Sequence, residues 1–280
     1  MKPFVLITGM HRSGTSFLAR TLNLAGVYVG DLESLITHDW KPHESNKRGH
    51  WENQSFLTLG EKTLSINGGT WYEPPSQIRI NQEISRGIKK TVEELKEKSW
   101  LGAGYKDPRI LLYLDAWKKH LPKKFVMIGI FRHPLIVAES LKIRSDFDYD
   151  KSIQLWKLYN QNLLKYLEIH DGFLINFDWP KRKLFSEIRL ILEKLNLFSG
   201  IDLEEWYSKE LVKSDRSYVK APLSDDISSL YNNLKKRSEK NSKIKKIPPL
   251  TNSENKIIIE QLLIQIQKQG QFFKNQNKKM

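Results

Sequence analysis

"ITGMHRSGTSFLARTL", residues 7–22, decides the reading of the fold. An apolar run, "FVLITG" (4–9), enters it, and "SFLARTLNLAG" (16–26) leaves it with helical spacing and a glycine stop at Gly26. Between them lie Gly9, four residues, Gly14 and the hydroxyl pair Thr15 and Ser16. A buried strand, a glycine turn and a helix start in that order make an anion cradle, because backbone N–H groups converge at the helix N-terminus. Arg12 adds a cation from within the turn. The alternative is a plain helix-capping turn with Ser13 or Thr15 as the N-cap.

The rest of the chain repeats the pattern. "LGAGYKDPR" (101–109) reads as a strand running into a loop, and "FVMIGIF" (125–131) and "GFLINF" (172–177) read as buried strands. Helical periodicity covers 81–98, 110–121, 135–145, 151–170 and 182–197, whereas 30–80 reads as irregular. Apolar strands alternating with helices predict an α/β fold of three layers, with a central parallel sheet flanked by helices and a P-loop-like turn. Ligands of such sheets bind at the carboxyl ends of the strands. "GMHRSGTS", "YKDPR" and "FRHP" all follow strand ends, so they are expected to converge. From residue 198 the pattern weakens. The reading divides the chain into a domain over 1–220 and an appendage over 221–280. In the appendage a basic linker (234–246) precedes an amphipathic helix (254–273) that could pair two copies of the chain as a homodimer.

The 280 residues contain 46 Lys plus Arg against 32 Asp plus Glu, a net charge of +14. Such an excess favours anionic partners. The basic tail lacks interleaved aromatics, which argues against nucleic acid. The absence of cysteine excludes disulfide and thiolate chemistry within this sequence and fits a reducing compartment. No apolar run approaches the roughly 18 residues of a membrane span, and "FVLITG" ends in the turn as a strand does. The expectation is a cytoplasmic protein.

An ATP-binding P-loop has lysine where Thr15 stands, and its enzymes hold Mg²⁺ with an acid at a second strand end. Here "FVMIGIF" ends in Arg132-His133-Pro134, which suits a second anion and repels a metal. The ligand implied is a nucleotide with two separated phosphate groups and no metal. At this point the sequence resembles the sulfotransferases that use 3′-phosphoadenosine-5′-phosphosulfate (PAPS), in particular bacterial carbohydrate-type members. The resemblance covers about residues 3–195. "ITGMHRSGTSFLARTL" looks like their 5′-phosphosulfate loop, and Arg132 with Ser140, eight residues on, matches their 3′-phosphate pair. It implies that Arg12, Ser13, Gly14, Thr15, Ser16, Arg132 and Ser140 bind PAPS, with Arg12 also stabilising the leaving phosphate. "KDPR" (106–109) and "LWKLYN" (155–160) also resemble bacterial members.

The family's acceptor-activating base usually follows the first helix. Candidates are His43, Glu44, His50 and Glu52. "NKRGHWEN" (46–53) resembles a family segment that ends on the acid, which favours Glu52 as the catalytic base. The competing reading is that Glu52 pairs with a nearby cation. Lys106 and Arg109 stand where they could meet the sulfuryl group or an acidic acceptor, unless Asp107 and Arg109 merely lock their loop. Trp51 and Trp71, with Tyr72, could form a sugar-stacking wall, whereas Trp156 and Tyr159 read as core. The activity implied is sulfuryl transfer from PAPS to an acceptor hydroxyl on a carbohydrate or glycolipid. The rivals are a P-loop small-molecule kinase and a non-catalytic anion-binding scaffold.

Overall fold

The structure, a computed structural model, describes residues 2–35, 49–170, 172–207 and 222–247, together with 260 and 264. Five parallel strands form one sheet: β1 (Phe4–Thr8), β2 (Val27–Tyr28), β3 (Gly102–Lys106), β4 (Val126–Phe131) and β5 (Gly172–Asn176). Their order is β2-β3-β1-β4-β5. The strand that feeds the glycine turn is thus central, with Val5 lying between Gly104 of β3 and Val126 of β4.

Side chains alternate across the pleat, and β1 shows the consequence. Phe4 and Leu6 join a core that also holds Ile84, Trp117, Trp156 and Leu163. Val5 and Ile7 point the other way, into a core with Phe17, Leu22, Ile188 and Ile191. The first core is closed by α3 (Gln82–Glu97), α4 (Ile110–Trp117), α5 (Pro134–Ser145) and α6 (Tyr149–Ile169), the second by α1 (Thr15–Leu24) and α7 (Lys181–Lys194). The protein is therefore an α/β fold with helices on both faces of a parallel sheet.

Two elements depart from the sequence reading. Residues 54–65, read as irregular, form α2 (Gln54–Ser65), capped by the Asn53 side chain, which accepts from Ser55 N and Phe56 N. Gly60 in mid-helix hides the pattern, and its reason is tertiary: a Cβ there would collide with the Tyr113 hydroxyl. After the short helix α8 (Leu203–Trp206), residues 225–238, partly read as linker, form α9 (Asp225–Ser238). Its Ile227, Leu230 and Leu234 enter the first core. Beyond it Asn241 clamps the edge strand. Its amide donates to Leu174 O at 2.9 Å and accepts from Leu174 N at 3.0 Å, as a neighbouring strand would. These contacts join 225–247 to the sheet. The amphipathic helix expected over 254–273 lies outside the described residues, apart from 260 and 264.

Candidate active site

The glycine turn runs from the carboxyl end of β1 to Gly14, the N-cap of α1, which has φ +92°. A Cβ at Gly14 would lie 2.8 Å from the Phe177 ring, so the turn needs glycine for space as well as for its dihedral. No side chain caps α1, which corrects the capping alternative for Ser13 and Thr15. Ser13 N instead bonds Met10 O at 3.2 Å and closes the turn. The Ser13 hydroxyl is buried without a hydrogen-bond partner. Thr15 is the buried first residue of α1, and Ser16 Oγ donates to the His50 carbonyl at 3.2 Å. Arg12, at φ +68°, is in the left-handed region that residues other than glycine seldom adopt.

It is held across the sheet. Arg12 Nε donates to Ser140 Oγ on α5 at 2.7 Å, joining residues 128 positions apart. Ser140 belongs to the turn and helix after β4, where Pro134 occupies the first helical turn and His133 Nδ1 accepts from Leu135 N. Arg132, just past β4, is buried. Its Nε pairs with Asp178 Oδ1 at 3.2 Å, and its guanidinium lies 5.5 Å from the Phe177 ring centre. Asp178 also accepts from His133 N at 2.6 Å, and Trp156 Nε1 donates to Arg132 O at 2.9 Å. The sequence reading missed Asp178, because an acid two residues past β5 carries no spacing signal.

The loop after β3 reaches the same end of the sheet: Thr8 Oγ1 on β1 donates to Asp107 O at 2.9 Å. Glu52 lies between two cations, with Lys106 Nζ 2.6 Å from Oε1 and Arg109 Nη2 3.1 Å from Oε2. All three are buried, with 8%, 3% and 4% exposure respectively. Burial alone would push the Glu52 carboxyl up, but Lys106 and Arg109 outweigh it and hold the group far below the usual carboxylate range. Burial lowers the Lys106 ammonium against the opposing pull of Glu52. Arg109 also meets Asp107 Oδ1 at 2.8 Å and Glu61 at 3.3 Å, and Tyr113 donates to Asp107 Oδ2 at 2.5 Å. The salt bridge expected to lock this loop, Asp107 with Arg109, is present, and Arg109 together with Lys106 also gives Glu52 the cation partners that were the competing reading of that residue. Glu61 was not anticipated, since α2 itself was not, and Tyr113, on the expected helix over 110–121, carries no spacing signal for its bond to Asp107.

The aromatic residues separate. Trp71 and Tyr72 are half-buried and cluster with Phe147, at centroid distances of 5.7 and 5.5 Å. Trp51 does not join them. It is 1% exposed, packs in the second core beneath Arg20, and has φ +58°. Its place in a stacking wall is corrected, because its ring faces the interior on the α1 side. His11 packs against Trp71 instead, with ring centres 4.3 Å apart and planes tilted by 42°. The His50 carbonyl accepts from both Ser16 Oγ and Lys106 Nζ, the latter at 3.1 Å. His43 and Glu44 lie outside the described residues. Among the described residues no group of three or more His, Asp or Glu side chains could hold a metal ion, and no helix is long and apolar enough to cross a membrane.

No family model and no curated protein matches the chain. Among solved structures it is similar to a sulfotransferase domain from the Synechococcus PCC 7002 olefin synthase, at 17% identity and TM-score 0.46 over 93% of this chain and 94% of that one. It is also similar to a sulfotransferase domain from the curacin biosynthetic pathway, at 17% identity and TM-score 0.41 over 94% of this chain and 98% of that one.

Proposed function

We propose that the protein is a PAPS-dependent sulfotransferase that transfers the sulfuryl group to an acceptor hydroxyl, on a carbohydrate or glycolipid in the cytoplasm. One observation carries this reading. Two motifs that the sequence separates by about 120 residues meet in a single hydrogen bond, Arg12 Nε to Ser140 Oγ. A nucleotide with a 5′-phosphosulfate and a 3′-phosphate needs two anion sites close together in space. The glycine turn, the start of α1 and the unpartnered Ser13 hydroxyl suit the first phosphate. Arg132 and Ser140 suit the second.

Sulfuryl transfer, like phosphoryl transfer, depends on positioning and on stabilising charge as it develops. In this reading Arg12 and the turn N–H groups neutralise the leaving 5′-phosphate. Lys106 and Arg109 line the acceptor side. Glu52, read from the sequence as the base, holds those two cations in place, since both of its oxygens are occupied. Trp71 and Tyr72 supply the apolar face against which a sugar ring can pack.

The kinase rival needs an acid free to hold Mg²⁺ at a strand end. Asp107 does follow β3, but its two oxygens serve Arg109 and Tyr113. Thermal unfolding separates the two readings. Adenosine 3′,5′-bisphosphate with EDTA should stabilise the protein by about 2.7 kcal/mol at a hundredfold excess over Kd. Stabilisation by ATP with Mg²⁺ alone would overturn the proposal. Transfer of radiolabelled sulfate from PAPS to a panel of glycans and lipids then tests the acceptor class.

A further inference from the structure

We propose that His11 takes the proton from the acceptor hydroxyl, an inference that rests on the sulfotransferase reading above. His11 lies in the turn between Met10 and Arg12. Its Nε2 is buried and has no hydrogen-bond partner, which is uncommon for a ring nitrogen that can donate or accept. The ring is fixed on two sides. It packs against Trp71 with ring centres 4.3 Å apart and planes tilted by 42°, and meets the Tyr159 ring edge-on at 5.9 Å, and the Tyr159 hydroxyl in turn donates to the Trp71 carbonyl at 2.9 Å.

His11 and its neighbour diverge. Arg12 turns to Ser140 on α5, while His11 faces the aromatic cluster proposed to pack the acceptor. The backbone between these two side chains is left-handed at Arg12, with φ +68°. One turn thus presents a cation to the leaving group and an imidazole to the nucleophile.

The surrounding charges suit a neutral imidazole. Burial lowers its pKa well below the ordinary 6.5, and Arg109, then Arg144 on α5 and Lys106, lower it further, while Glu52 opposes them. At neutral pH the ring is uncharged and can accept a proton. Glu52 is a poor competitor, because Lys106 and Arg109 pair with its two oxygens and hold the carboxyl far below the usual carboxylate range. The step balances simply. The acceptor oxygen forms a bond to sulfur, its proton passes to a His11 ring nitrogen, and the sulfur–oxygen bond to the 5′-phosphate breaks with its electron pair left on phosphate.

The test uses the full chain and water as the acceptor, so that no sugar need be known. Hydrolysis of radiolabelled PAPS to inorganic sulfate is followed from pH 5 to 9 in the wild type, His11→Gln and His11→Ala. Calorimetry with adenosine 3′,5′-bisphosphate reports the nucleotide site. Histidine NMR reports the ring's charge, its signal assigned by its loss in His11→Gln. His11→Gln should bind the nucleotide as the wild type does and hydrolyse PAPS about 10²–10⁴-fold more slowly. The acidic limb of the wild-type profile, lying below pH 6.5, should vanish in the variant. Added imidazole should restore part of the rate of His11→Ala, and the His11 signal should be that of a neutral ring at pH 7. A wild-type rate and profile in His11→Gln would overturn the role of His11 and leave the sulfotransferase reading standing. So would a slow His11→Ala that imidazole does not rescue, even if His11→Gln binds nucleotide poorly. A wild type that neither binds the bisphosphate nor releases sulfate would remove the sulfotransferase reading and this inference with it.

Discussion

Replacing Glu52 with alanine leaves two buried cations facing a void. Lys106 Nζ lies 2.6 Å and Arg109 Nη2 3.1 Å from the carboxylate. At an effective dielectric constant of 20 the two attractions are about 6 and 5 kcal/mol before desolvation is counted. Desolvation offsets much of this, but it is not recovered when one partner alone is removed, so breaking a buried pair costs about 3–5 kcal/mol. Lys106 keeps the His50 carbonyl, and Arg109 keeps Asp107 and Glu61, which places Glu52→Ala near the lower end. Glu52→Gln keeps the shape but can accept only one of the two hydrogen bonds, because its amide nitrogen donates and would face a second donor; it should lose about 2–3 kcal/mol, the worth of a charge-assisted hydrogen bond. Urea unfolding at pH 7, followed by tryptophan fluorescence, measures both. Adding Lys106→Met to Glu52→Gln should recover part of the loss, because no unmatched ammonium remains. The effect has a definite pH signature. The folded carboxyl ionises at lower pH than the unfolded one, whose ordinary value is 4.5. Its contribution is therefore complete above that value and is lost as pH falls through the folded value. Wild-type stability should decline in acid more steeply than that of Glu52→Gln. A loss below about 1 kcal/mol in Glu52→Ala, with parallel acid profiles, would show the pair to be no stronger than a surface ion pair and refute the reasoning.

Arg132→Ala should weaken adenosine 3′,5′-bisphosphate by about 1.5–3 kcal/mol while adenosine 5′-monophosphate is nearly unaffected. Calorimetry showing equal losses for both nucleotides would place Arg132 outside the 3′-phosphate site. Asn241→Ala removes two bonds to the backbone of Leu174 and should cost about 1–3 kcal/mol. An unchanged midpoint in scanning calorimetry would mean that the β5 edge is satisfied by other groups.

The parallel sheet was legible because buried strands announce themselves as short apolar runs, and "FVLITG" and "FVMIGIF" form adjacent strands. The convergence of the three polar loops followed from topology, since parallel neighbours bring their carboxyl ends to one side. Three features were not legible. α2 carries Gly60 for the benefit of Tyr113, a reason that exists only in three dimensions. α9 is basic on its exposed face and apolar at Ile227, Leu230 and Leu234, so charge concealed its packing stripe. His11 lay in plain view beside Arg12, but a single histidine carries no periodicity, and only its orphaned nitrogen and its packing against Trp71 single it out.

The two strained residues of the site, Arg12 and Trp51, stand on opposite sides of one junction. Trp51 separates His50 from Glu52, and its left-handed backbone lets the His50 carbonyl meet Ser16 and Lys106 while the Glu52 side chain meets Lys106 and Arg109. Such conformations cost of order 1–3 kcal/mol each and persist where the surroundings over-determine them. Here the fixing contacts are specific: Ser140 for Arg12, and for Trp51 a buried ring beneath Arg20. The carbonyl of His50 thereby ties the first turn of α1 to the lysine of the β3 loop, which in the proposed reaction are the nucleotide side and the acceptor side. Charged groups held this way need little reorganisation when charge moves from acceptor to phosphate, which is where preorganised sites gain most of their rate. The left-handed backbone at Trp51 thus accompanies a carbonyl shared by the Ser16 hydroxyl and the Lys106 ammonium, and that at Arg12 accompanies the bond to Ser140 across the sheet.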